Sequence, residues 1–151
     1  MFGIKREKRG YGRKVTIFGV SFTYRKRPKK YKELKKYCDI GNLDKLLANN
    51  TIFGHPYGIV ISSAASIGEN CTIFQHVTIG AKNVDDGERN PDYYPKIGNN
   101  VVIYAGATII GPVKIGDNVV IGANSVVLHD VPANETVVGN PAKIIVREAI
   151  H

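Results

Sequence analysis

Branched aliphatic residues return at every sixth position along most of this chain. Ile61, Ile67, Ile73 and Ile79 form one run; Ile97, Ile103, Ile109, Ile115, Ile121 and Val127 form a second. Four residues after most of them stands another small or apolar side chain: Ala65, Cys71 and Val77, then Val101, Ala107, Val113, Val119, Ser125 and Val131. A six-residue period fits neither an amphipathic helix, with its period of about 3.6, nor a strand that alternates every second residue. It predicts an all-β solenoid in which three short strands close one triangular coil and the aliphatic side chains stack along its axis.

The period fails between Ile79 and Ile97. Steps of six from Ile79 land on Asp85 and Pro91, and neither can occupy an apolar axis. The polar stretch from Lys82 to Pro95 therefore predicts a loop extruded from one corner, spanning residues 80–96, with coiling resumed at Ile97. Ahead of the coils, Val15, Ile17, Val20, Phe22 and Tyr24 approximate strand alternation interrupted at Phe18-Gly19, which predicts a strand pair or a bent strand. Tyr31 to Tyr37 reads as a turn or two of helix, and Asn42 as the N-cap of a helix from Leu43 to Ala48. Three segments follow: a short α/β segment over residues 1–50, coils over 51–138, and a C-terminal segment over 139–151. Outward positions eighteen residues apart would stack on one face, so Ile110 with Leu128 and Val102 with Val120 predict exposed apolar stripes suited to an interface.

Several words within the coils do not repeat: His55-Pro56-Tyr57-Gly58-Ile59-Val60-Ile61, Gln75-His76-Val77-Thr78-Ile79-Gly80, Pro95-Lys96-Ile97-Gly98 and Gly139-Asn140-Pro141-Ala142-Lys143. Together with the hexads they resemble the hexapeptide-repeat acyltransferases, in particular the serine acetyltransferases and their relatives that O-acetylate sugars of surface glycans. The resemblance covers roughly two thirds of the chain. It implies a left-handed parallel β-helix, against the usual right-handed crossover, and acetyl-CoA as co-substrate. It also implies a homotrimer with active sites between subunits.

His55 carries the chemistry in this reading. Counting six back from Ile61 places it on the axis, where an imidazole would find few partners, and Pro56 and Gly58 would let the backbone turn the ring outward. The resemblance matches His55 to the catalytic histidine of the serine acetyltransferases. A neutral imidazole can take the proton of an alcohol as it attacks a thioester, then return it to the departing thiolate. His76 falls at an outward hexad position and reads as a solvated or interface residue. No His, Cys or carboxylate cluster has metal-ligand spacing, so no metal is expected.

Carried over residue by residue, the resemblance places acetyl-CoA contacts at Ala105, Gly106 and Ala123. It adds the word containing Pro141 and Lys143, with Arg147 and Lys82 as further candidates for the phosphates. The chain also departs from the serine acetyltransferases. The roughly fifty residues ahead of the coils are too few for their helical domain. Gly54 stands where they place an Asp, and Tyr93 and Tyr94 stand where they place Arg-His. Those charges would hold an amino acid, whereas Tyr57, Tyr93 and Tyr94 suit a sugar face and its hydroxyls. The expected acceptor is therefore a sugar hydroxyl in surface-polysaccharide biosynthesis. Free serine and an amino sugar are the alternatives within enzymes, and a non-enzymatic β-helix scaffold is the alternative outside them.

Charge adds one further expectation. Of 21 Lys and Arg, 14 lie in residues 1–36 beside only Glu7 and Glu33, and the rest of the chain is net acidic. Such a segment suits a membrane surface or a lipid-linked acceptor, while no nucleic-acid-binding module accompanies it. With no secretory signal and no long apolar run, the expected location is the cytoplasm, and the basic segment adds the expectation of a contact at the inner face of the membrane.

Overall fold

A computed structural model describes residues 5–9, 12–17, 20–25, 30–82 and 90–145, with side chains from residue 33 onward. The chain divides into two compact units, residues 1–32 and 33–151. In the first, strands Lys5–Arg9, Gly12–Ile17 and Val20–Arg25 form an antiparallel sheet, with Glu7 opposite Lys14 and Val15 opposite Phe22. The alternation over residues 15–24 is thus a strand pair. The Lys-Arg-Glu-Lys-Arg strand carries no apolar alternation and had no sequence signal of its own.

The second unit holds the left-handed parallel β-helix. Its first face stacks Asp39–Ile40, Val60–Ile61, Thr78–Gly80, Thr108–Ile110 and Val126–Val127. The second stacks Ser66–Ile67, Lys96–Ile97 and Lys114–Ile115, and Val131 bridges to Ile115. The third stacks Ile52–Phe53, Thr72–Ile73, Val102–Ile103, Val120–Ile121 and Thr136–Val138, closed by the antiparallel Lys143–Ile144. Every aliphatic residue of the six-residue series from Ile61 to Val127 is buried, and each contributes about 1.5–3 kcal/mol of burial free energy at most.

The corner between the second and third faces is turned by asparagine. Asn50, Asn70, Asn100, Asn118 and Asn134 all have positive φ, from 57° to 66°, a conformation that asparagine tolerates better than most residues. The Asn118 side-chain amide donates to Oδ1 of Asn134 at 3.0 Å. Stacked positions Ile67 and Ile97 are thirty residues apart, whereas Ile97 and Ile115 are eighteen apart. Twelve residues are therefore extruded between the first and second faces, where the sequence broke period. Residues 83–89 of this loop lie outside the described ones; Pro91–Tyr93 forms a single 3₁₀ turn capped by Asn90, whose side chain accepts from Asp92 N.

Helices Lys30–Tyr37 and Leu43–Ala48 form where expected. Asn42 precedes the second helix but does not cap it through its side chain, which donates instead to the Ser63 carbonyl. Two further expectations are corrected. Val102 and Val120 are buried within the chain and form no exposed stripe, whereas Ile110 is half-buried and Leu128 is 44% exposed. The axial position before Ile61 belongs to Phe53, only 1% exposed, and not to His55.

Candidate active site

His55 owes its position to a local insertion. Six residues, Gly54 to Ile59, connect the third face to the first, where the next coil uses four, Phe74 to Val77. Backbone bonds fix the alignment: Gly54 N donates to Ile73 O at 2.8 Å, and His76 N donates to Tyr57 O at 2.9 Å. His55 and Pro56 are the two extra residues. Pro56 is buried and His55 exposed, and Tyr57 N closes a tight turn onto His55 O at 2.9 Å. The sequence count had read this bulge as a hexad residue turned outward.

The ring is anchored from the coil above. His55 Nδ1 lies 3.2 Å from Gln75 Oε1. An amide oxygen only accepts, so in this arrangement Nδ1 is the donor, and in the neutral ring Nε2 is the unprotonated nitrogen. That is the tautomer a general base requires.

The same prism edge continues through the coils. Tyr57, Gln75, Ala105 and Ala123 follow one another along it, linked by Gly106 N to Gln75 O at 3.0 Å and Asn124 N to Ala105 O at 2.9 Å. The next position is left-handed throughout: Gly58, His76, Gly106 and Asn124 have φ of 60°, 57°, 71° and 55°. At Gly58 a Cβ would be strained and would also run into Nδ1 of His76. Ala105, half-buried, and Ala123, exposed, put the smallest side chains with a Cβ at this edge. Gly139 N donates to Ser125 Oγ at 3.1 Å and Ala142 N to Val126 O at 2.8 Å, which bring the Gly139-to-Lys143 word to the end of this edge. Pro141 and Lys143 are exposed there, and Arg147 lies outside the described residues.

Other predicted site residues sit elsewhere. Lys82, exposed, and Tyr93 and Tyr94 belong to the loop on the neighbouring edge, so one chain does not stack them in the His55 column. At the loop's end, Lys96 Nζ pairs with Asp92 Oδ1 at 2.9 Å and holds that carboxyl below its ordinary range by hydrogen bonding and charge. Phe74 stacks on Tyr104 with centroids 5.2 Å apart, and burial pushes the Tyr104 phenol up. Gly54 lies beneath this pair, and a Cβ there would come within 2.7 Å of Phe74 Cδ1. Gln75 was missed as a partner of His55, although it begins one of the non-repeating words. Among the described residues, no group of three or more His, Cys, Asp or Glu is placed to hold a metal ion, and no helix is long and apolar enough to cross a membrane.

Comparison with known proteins places this coil pattern. Residues 94–129 match the bacterial transferase hexapeptide model of six repeats. The repeat matched there is the one marked by the six-residue spacing of Ile97, Ile103, Ile109, Ile115 and Ile121. It is 48% identical over 96 residues to the serine acetyltransferase of Staphylococcus aureus, spanning 64% of this chain and 43% of that one. Among solved structures, the soybean serine acetyltransferase apoenzyme is 44% identical with a TM-score of 0.58, over 72% of this chain and 40% of that one. A serine acetyltransferase in complex with CoA is 36% identical with a TM-score of 0.57, over 72% and 39%. This hexapeptide-repeat chain thus spans less than half the length of each of these relatives.

Proposed function

We propose that this chain transfers an acetyl group from acetyl-CoA to the hydroxyl of a small molecule, as an O-acetyltransferase of the serine acetyltransferase kind. The observation that carries this reading is His55, raised from the hexad by a two-residue bulge and oriented by Gln75. Nε2 takes the hydroxyl proton as the oxygen attacks the thioester carbonyl carbon. The tetrahedral adduct then breaks its C–S bond, and the imidazolium returns the proton to the thiolate, giving an O-acetyl ester and CoA. Ala105, Gly106 and Ala123 would line the pantetheine arm, with Pro141 and Lys143 toward the nucleotide. Named relatives make serine the first acceptor to test.

A sugar hydroxyl is the second reading, favoured by the exposed Tyr57 and Tyr93 and by Gly54, where a bulkier residue would displace Phe74. The assay is thiol release from acetyl-CoA with serine and a set of sugars offered in turn. Release with neither class, by protein that binds CoA, contradicts the proposal.

The separation of His55 from the loop residues favours assembly. Lys82, Tyr93 and Tyr94 occupy one prism edge and His55 another, so adjacent copies of a homotrimer would bring the two together. The exposed Leu128 and half-buried Ile110 supply apolar surface for such packing. Residues 1–36, net basic, would serve a membrane-proximal or lipid-linked acceptor. Their deletion should then raise KM for that acceptor in a salt-dependent manner and spare a small soluble one.

A further inference from the structure

Beside His55 lies an aromatic pair that sequence spacing did not bring together. Tyr37 ends the helix Lys30–Tyr37, and its carbonyl accepts from Gly58 N at 2.9 Å, tying the helix end to the His55 corner. The Tyr37 and Tyr57 rings meet with centroids 5.0 Å apart and planes inclined by 37°. Lys36 Nζ sits 4.9 Å from the Tyr37 ring centroid, a cation–π contact that helps fix the ring. Both tyrosines remain open to solvent, 43% and 50% exposed.

Two half-exposed aromatic rings in contact present one shared apolar surface to solvent. Here backbone bonds hold the main chain that carries both rings: the Tyr57 carbonyl accepts from His76 N and Tyr57 N donates to His55 O, while the Tyr37 carbonyl accepts from Gly58 N. The pair is therefore a preformed, tilted surface two residues from the general base. Rings of this kind take the apolar C–H face of a pyranose, while their hydroxyls reach its equatorial oxygens. Free serine has no such face.

We propose that Tyr37 and Tyr57 form the acceptor platform, and that the acceptor presents a pyranose ring whose hydroxyl is delivered to His55. This inference rests on the acetyl-transfer reading and selects the second of its two acceptor classes. Tyr37, outside the coils, becomes a specificity-determining residue.

The test combines kinetics with a binding measurement. Methyl glycosides of glucose, galactose and N-acetylglucosamine, and serine, are offered with acetyl-CoA to the native chain, Tyr37→Phe and Tyr37→Leu. Saturation-transfer NMR from the tyrosine rings to the same glycosides reads contact independently of turnover. Tyr37→Leu should raise KM for the accepted glycoside by about tenfold, comparable to the loss of one aromatic stacking contact. Turnover and CoA affinity should hold, and saturation transfer should weaken. Tyr37→Phe, which keeps the ring, should stay close to the native KM. Equal KM and equal saturation transfer in Tyr37→Leu and the native chain overturn the platform. So does serine turned over with no glycoside bound, which leaves acetyl transfer standing. Glycoside contact without thiol release from any acceptor sinks the acetyl-transfer reading and overturns the acceptor role with it, leaving the pair as a glycoside-binding surface alone.

Discussion

Nδ1 of His55 lies 3.2 Å from Oε1 of Gln75, twenty residues further on and one coil away. The contact fixes both the tautomer and the aim of the imidazole, so it predicts an effect separable from acceptor binding. Gln75→Leu removes the acceptor and should lower kcat by about tenfold while leaving the KM values close to native. Gln75→Glu retains an acceptor but adds a negative charge, which stabilises the imidazolium and raises the histidine pKa. A base works only when deprotonated, so the acid limb of the kcat profile should move to higher pH. An unmoved limb in Gln75→Glu would place the base elsewhere.

The corner itself can be probed through Gly58. Its φ of 60° strains any Cβ, and the His76 ring fills the space that the Cβ would enter. Gly58→Ala should cost about 1–3 kcal/mol of stability in urea unfolding. Adding His76→Ala should recover the steric part of that loss but not the conformational part. A single substitution that unfolds at the native midpoint contradicts this packing.

Gly54 makes a related prediction. A side chain there meets Phe74 Cδ1 at 2.7 Å, beneath the Phe74–Tyr104 stack. Gly54→Asp should therefore lower the thermal midpoint, and Phe74→Ala in the same chain should relieve the clash. A Gly54→Asp protein as stable as the native one would mean that the stack yields without cost.

The two cysteines should differ in reactivity. Burial pushes the Cys38 thiol up, only partly offset by its hydrogen bond with the Ile59 backbone, and Cys71 is fully buried on the axis. A raised pKa leaves less thiolate near pH 8, so alkylation of Cys38 should be slower than that of a free thiol and should accelerate at higher pH. Cys71 should react only as the coils unfold. Mass spectrometry of timed iodoacetamide reactions reads both rates.

The coils were legible because a six-residue period admits few folds, and buried Ile103, Ile109 and Ile121 stand where the count put them. The extruded loop was equally plain, since Asp85 and Pro91 could not take axial positions. The bulge at His55 was not, because counting cannot tell an inserted residue from one turned outward. Phe53, an aromatic two residues earlier, was the available signal. The asparagine corner was also in view at Asn70, Asn100, Asn118 and Asn134, but a search for apolar spacing passes over it. Tyr37 left no trace in spacing: it reaches Tyr57 only through the fold, across twenty residues of helix, turn and strand.

The measurement that bears most directly on the central claim is thiol release from acetyl-CoA by His55→Ala, with CoA affinity measured on the same protein. Loss of the base should reduce kcat by about a hundredfold or more, with the CoA dissociation constant and the unfolding midpoint near native. His76→Ala, assayed alongside, should retain most of the turnover. A His55→Ala protein that folds, binds CoA and turns over at the native rate would remove His55 from catalysis and the proposed mechanism with it.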